Sequence, residues 1–271
     1  MPQSIPELEP LETWGLNDLR LWVASRKLSC GMERSARLQY GNFETRRALF
    51  SFSLSDIGRD AVPEIIAICR SMHAPERMLQ GIVRFFTAAA FVHFGFECAG
   101  TVMIGKCYLE LPPPDPDSAP LSGRLQFLGF KWSMNDSSVA VVTRYRLLQI
   151  PHWEDAASLM LANTGALLKP AMDNLLHVVC HSVATGPGSV PMLEIEEEGS
   201  DRRSYDLNVY DRNISLFNVT EALQQAAIIL DANPESTFRW LNTNAAAQVG
   251  HIATGLGRDQ QSFLTVYYGL P

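Results

Sequence analysis

The chain has 271 residues, 46% of them hydrophobic and 19% charged, an ordinary globular composition at a length that can bury a full core without covalent staples. Its net charge of −7 argues against a nucleic-acid binder, because neutralising phosphates needs clustered Lys and Arg. Five cysteines without a CxxC spacing argue for reduced thiols in a cytoplasmic protein, and neither the acidic start MPQSIPELEPLE nor the interrupted apolar stretch Phe85–Phe96 reads as a secretory signal or a membrane span.

Residues 1–15 read as a poorly structured arm, followed by a helix over Leu16–Ser25. A strand pair follows, Glu33–Tyr40 with Arg47–Leu54, turning at Tyr40-Gly41-Asn42. Ala61–Ser71 and Pro75–Phe86 have helical spacing, with Pro63 and Pro75 suited to first turns. The next pairs are Ala89–Ala99 with Val102–Leu111 and, after a Pro-rich surface loop at Pro112–Pro120, Arg124–Met134 with Ser138–Leu148. A helix at Trp153–Leu161 leads to a fourth pair, Leu175–Ala184 with Arg203–Asp211. Helices Thr220–Leu230 and Pro234–Gln248 precede the last pair, Val249–Gly255 with Ser262–Tyr268.

Short turns within these pairs force antiparallel hairpins. Helices between hairpins point to one antiparallel sheet covered by helices, and closing such a sheet removes both exposed edges. The expected fold is therefore α+β: about ten antiparallel strands closed into a barrel inside a ring of helices, as a single domain over residues 1–271. Face patterns agree. Ala48, Phe50, Phe52 and Leu54 alternate with Arg47, Leu49, Ser51 and Ser53; Phe130, Trp132 and Met134 alternate with Lys131 and Ser133; Leu207 and Val209 alternate with Asp206, Asn208 and Tyr210. The apolar set packs on helices, leaving a polar lumen.

Three basic residues lie on strands: Arg47, Lys106 and Lys131. Lys106 shares a face with Tyr108, an ammonium beside a phenol that together bind phosphate oxygens. Tyr145, Tyr210 and Tyr267 add rings on other strands, and a carbocation is attracted to aromatic faces by roughly 0.5–2 kcal/mol per ring. Cations at one level and phenols below suit the ionisation of an allylic diphosphate. Motifs for dinucleotides, P-loops, zinc proteases and serine hydrolases are missing. Asp115 and Asp117 sit in the Pro-rich loop and form no paired metal motif, and His177 and His181, placed on a strand, lie too far apart for zinc.

The segments CGMERSARLQYGNFETRRALFSFSL, IGKCYLEL, GFKWSMND, VVTRYRL, HSVATG, SYDLNVYD and GHIATGLGRDQQSFLTVYYG, in this order and spacing from about Leu19 onward, resemble the cyanobactin peptide prenyltransferases of the αββα-barrel class. The resemblance implies Glu33 as the catalytic carboxylate that orients the acceptor and takes its proton. It implies donor diphosphate binding by Arg47, Lys106, Lys131, Tyr108, Tyr145, Asn208, Tyr210 and Tyr267. Ala184 and His251 would line the prenyl pocket, where the family carries larger aromatics, and Asp206 would bind the acceptor. The implied partners are dimethylallyl or geranyl diphosphate and a ribosomal, macrocyclic peptide; an acidic lumen containing Glu33 and Asp206 suits a cationic guanidinium, so an arginine side chain is the favoured acceptor. No tightly bound cofactor and no metal site in the chain are implied; Mg²⁺ can accompany the diphosphate. The competing expectations are an aromatic small-molecule prenyltransferase on the same fold and a non-catalytic barrel that binds a small ligand.

Overall fold

A computed structural model describes residues 16–112, 123–182 and 190–269. The predicted N-terminal arm, most of the Pro-rich loop and Ala184 lie outside the described residues. In the first half of the chain the strands are β1 (Gly31–Gln39), β2 (Asn42–Glu44), β3 (Arg47–Ser53), β4 (Phe91–Ala99), β5 (Val102–Glu110) and β6 (Arg124–Ser133). The second half supplies β7 (Ala140–Ile150), β8 (Val190–Glu197), β9 (Arg203–Asn208), β10 (Val249–Leu256) and β11 (Ser262–Tyr268). The helices are α1 (Leu16–Arg26), α2 (Leu54–Ile57), α3 (Val62–Ser71), α4 (Glu76–Phe86), α5 (Trp153–Asn163), α6 (Lys169–His181), α7 (Thr220–Ile229) and α8 (Pro234–Asn244).

Each long strand pairs antiparallel with its neighbour, and β11 pairs back onto β1 with Ser35 opposite Tyr267 and Arg37 opposite Thr265. Ten strands thus close a barrel, while β2 is a short flap hydrogen-bonded to β1 alone. Closure leaves the ring without an unpaired edge.

The outer faces are apolar because they meet helices. Phe50, Phe52, Phe94, Phe96, Phe130 and Trp132 pack with Trp22, Ile65, Leu79, Ile82 and Phe86 of α1, α3 and α4 in one core. Leu38, Met192, Leu207, Ile252, Leu264 and Val266 pack with Met160, Met172, Leu175, Val179, Leu223 and Leu241 of α5–α8 in a second. Burial of each such side chain contributes about 1.5–3 kcal/mol. The indole N–H of Trp132 donates to the Met72 carbonyl at 2.7 Å, tying β6 to the end of α3. Among the described residues no helix is long and apolar enough to cross a membrane.

One predicted strand is corrected. Leu175–His181 belongs to α6, and the partner of β9 is β8. The run LLHVV reads as a strand by its apolar, β-branched composition. Yet Met172, Leu175, Leu176 and Val179 recur at helical spacing, and all four are buried. The true strand ends in EIEE, a run outside every predicted element. Its outward charges are matched across strands, Glu196 by Arg146 at 3.3 Å and Glu194 by Arg203 at 3.2 Å. On the helix, the His177 and His181 rings lie with centroids 4.0 Å apart, tilted by 35°.

Candidate active site

Strand alternation carries Glu33, Ser35 and Arg37 of β1 to the inside of the ring, and cross-strand register fixes what they meet. Arg47 of β3 lies opposite Glu97 of β4, and Lys106 of β5 opposite Lys131 of β6. His251 of β10 lies opposite Tyr267 of β11. A cavity of about 400 Å³ opens among these residues, lined by Arg37, Arg47, Lys106, Lys131, Arg202 and Arg258, by the carboxylates Glu97, Glu197 and Asp259, and by Tyr108, Tyr145 and Tyr267. Six cations against three carboxylates leave an excess of three positive charges. That is the charge complement of an organic diphosphate.

Like charges directly opposite on neighbouring strands repel. The Lys106–Lys131 pair is tolerated because each ammonium has another contact. Lys106 Nζ meets Glu97 Oε2 at 2.5 Å, and Lys131 Nζ lies 5.8 and 5.4 Å from the ring centres of Tyr108 and Tyr145. Arg47 also pairs with Glu97 and donates from Nε to Ser35 Oγ at 3.0 Å. Glu197 accepts from Arg202 at 3.0 Å and from Arg258 at 2.8 Å. Arg37 stacks on Phe263, 3.8 Å from the ring centre.

Burial sets the electrostatics. It pushes Lys106 down to about 8 despite the opposing charge of Glu97. Burial, with Arg47 beside it, lowers Arg37 to about 10. Burial and the neighbouring Lys106 hold Lys131 well below the usual lysine range. Burial alone would raise Glu97, but Arg47 and Lys106 outweigh it and keep the carboxyl ionised. Such compressed positive charge is relieved by a bound anion. Burial also raises the phenols of Tyr108, Tyr145 and Tyr267, so they remain hydrogen-bond donors. Gly129 makes room for two of these rings: a Cβ there would lie 2.8 Å from the Tyr108 ring and 3.2 Å from that of Tyr145.

A smaller cavity of about 40 Å³ adjoins the first and shares Arg47, Glu97, Lys106, Tyr108 and Tyr267 with it. Glu33 is on its wall. The hydroxyl of Tyr210 donates to Glu33 Oε1 at 2.5 Å. Burial raises the Glu33 carboxyl, while the charge of His251 and the Tyr210 hydrogen bond pull it back. His251 Nδ1 meets Asp206 Oδ1 at 2.9 Å. Burial alone would lower that imidazole, but Asp206 and Glu33 carry it up to about 9, a cation at neutral pH. Its ring stands edge-on to Tyr210 and Tyr267, at 4.9 and 5.9 Å between centres.

The sequence-predicted residues therefore divide. Arg47, Lys106, Lys131, Tyr108, Tyr145 and Tyr267 converge on the larger cavity. Asn208 and Tyr210 do not. β9 stops at Asn208, whose side-chain oxygen accepts from the Tyr210 backbone N–H at 3.1 Å, and this turn swings Tyr210 off the sheet onto Glu33. Asp206 is held by His251 and is not a free carboxylate. The unanticipated members are Arg37, Glu97, Glu197, Arg202 and Arg258. Arg37 was within reach of period-two counting from Glu33, whereas Arg202 and Arg258 lie beyond strand ends, where no periodicity marks a side chain. Among the described residues no group of three His, Cys, Asp or Glu is placed to hold a metal ion.

No known family model matches the chain. No curated protein matches it either. Solved structures do. 5-Dimethylallyltryptophan synthase from Streptomyces coelicolor is 14% identical over 88% of this chain and 80% of that one, with a TM-score of 0.58. PriB in complex with product diphosphate is 14% identical, covering 88% and 79%, with a TM-score of 0.60. 6-Dimethylallyltryptophan synthase from Micromonospora olivasterospora, bound to DMASPP and Trp, is 12% identical, covering 88% and 81%, with a TM-score of 0.56. At this identity the likeness establishes the fold, the αββα barrel of prenyltransferases.

Proposed function

We propose that this chain transfers a prenyl group from its diphosphate to an acceptor held against Glu33. One observation carries the reading: a cavity with three surplus positive charges adjoins, through shared walls, a pocket walled by the half-buried Glu33 carboxylate. Arg37, Arg47, Lys106, Lys131 and Arg202 hold the diphosphate. The bond between C1 and the bridging oxygen breaks, and the electron pair leaves with the diphosphate, where the cations stabilise it. Tyr108, Tyr145 and Tyr267 flank the allyl cation and exclude water. The acceptor forms a bond to C1, and its proton passes to the Glu33 carboxylate. Tyr210, by donating to Glu33, holds the carboxylate in one orientation. Mg²⁺ travelling with the donor is not required by this scheme, because six cationic residues against three carboxylates already line the site.

The sequence resemblance favours a peptide acceptor, and the acidic residues Glu33 and Asp206 favour an arginine guanidine as its nucleophile. A specific observation favours a second reading, a small aromatic acceptor such as an indole. Asp206, the carboxylate a guanidinium would use, is already paired with a cationic His251. Two of the similar proteins were solved with tryptophan bound. Incubation with dimethylallyl and geranyl diphosphate and two acceptor sets, arginine-containing cyclic peptides and free indoles, separates these by the mass added. Transfer to neither set, with diphosphate bound but not turned over, would leave a ligand-binding barrel and end the enzymatic reading.

A further inference from the structure

Glu97 sits where a competitor for the donor would sit. Its two oxygens engage Arg47 and Lys106, two cations of the anion site, and it lines both cavities. All three side chains are deeply buried, with exposures of 14% for Glu97, 9% for Arg47 and 12% for Lys106, so water screens little of the interaction. A carboxylate there weakens every anion bound beside it. We infer that Glu97 is a built-in counter-anion that limits affinity for the diphosphate and so speeds release of that product, exchanging places with it on Arg47 and Lys106 in each turnover. The inference rests on the prenyl-transfer reading and adds a residue to it. Without Glu97, the two cations repel each other and the product diphosphate becomes their permanent partner.

Asp259 provides the comparison within the same molecule. It too lines the larger cavity. But it is exposed, and an exposed charge is screened by water.

The test is calorimetric titration of the full-length protein with inorganic pyrophosphate. Glu97→Gln is expected to tighten binding roughly tenfold or more, as removal of a close buried charge requires. Glu97→Asp is expected to restore parental affinity, and Asp259→Asn to tighten binding less than about threefold. In turnover, KM for the donor and the pyrophosphate inhibition constant should fall together in Glu97→Gln while kcat falls. If Glu97→Gln folds only with pyrophosphate present, the anion is standing in for the carboxylate, as inferred. Failure to fold even then, unchanged or weaker binding, or equal tightening by Asp259→Asn would overturn the inference. A parent protein that does not bind pyrophosphate at all would instead defeat the prenyl-transfer reading beneath it.

Discussion

Replacing His251 by glutamine should flatten the dependence of stability on pH between 6.5 and 8. The imidazole titrates at about 9 in the fold against 6.5 unperturbed. A group whose pKa is raised by folding stabilises fully below its unfolded value, and that contribution is lost as pH rises through the folded value. Integrating between pH 6.5 and 8 gives a loss of about 1.5 kcal/mol from this one group. The window closes near pH 8 because Lys106 then works in the opposite sense. Its folded pKa is depressed from 10.5 to about 8, so above 8 the folded lysine sheds its proton first and stability rises with pH. The groups facing His251 are Asp206, Glu33 and the rings of Tyr210 and Tyr267. Urea denaturation at pH 6.5 and 8.0, with and without His251→Gln, is the assay. Parallel changes in the two proteins would show that the Asp206–His251 pair does not hold the imidazole charged, and the electrostatic account of Glu33 would fall with it.

Glu33→Gln should keep the fold and donor affinity but lose roughly 10²–10⁴-fold in turnover; near-parental turnover in a product-mass assay would take the proton-acceptor role from Glu33. Lys131→Met should weaken pyrophosphate binding by roughly tenfold or more, since Lys131 leans on two tyrosine rings and is available to an anion; unchanged affinity by calorimetry would place the diphosphate elsewhere. Gly129→Ala should cost roughly 1–3 kcal/mol of stability, because the new Cβ meets the Tyr108 ring at 2.8 Å, and donor affinity should fall as the rings shift; an unchanged thermal midpoint would refute the packing argument. Prenyl transfer should persist in excess EDTA, given the surplus of three cations in the cavity lining; loss of transfer with recovery on adding Mg²⁺ would show that the protein's own cations are insufficient.

Much of the lumen was legible residue by residue. A strand has a period of two, so Arg47 on β3, Lys106 with Tyr108 on β5, and Lys131 on β6 could be set opposite apolar neighbours without any knowledge of a partner strand. The misread segment at Leu175–Ala184 shows the limit of that counting. Composition favoured a strand, and helical spacing carried by the same residues favoured a helix; the buried face of α6 decided between them. Tyr210 failed for another reason. Its position continues the alternation of β9, but its backbone N–H donates to the Asn208 side-chain oxygen and the strand ends at Asn208.

The amino-acid order by itself determined which residues share a face of a strand, where hairpins turn, and that charges and phenols would be confined to one side of each strand. Those are local properties, set by backbone geometry and by turns of a few residues. Only the tertiary structure decided which charges meet. Glu97 faces Arg47 through the register of β3 with β4, and β1 reaches β11 through a closure between the two ends of the chain. Register across a ring depends on every hairpin and on core packing outside it. A carboxylate that reads as one more polar strand residue thus becomes the counter-anion of two buried cations only when the barrel closes.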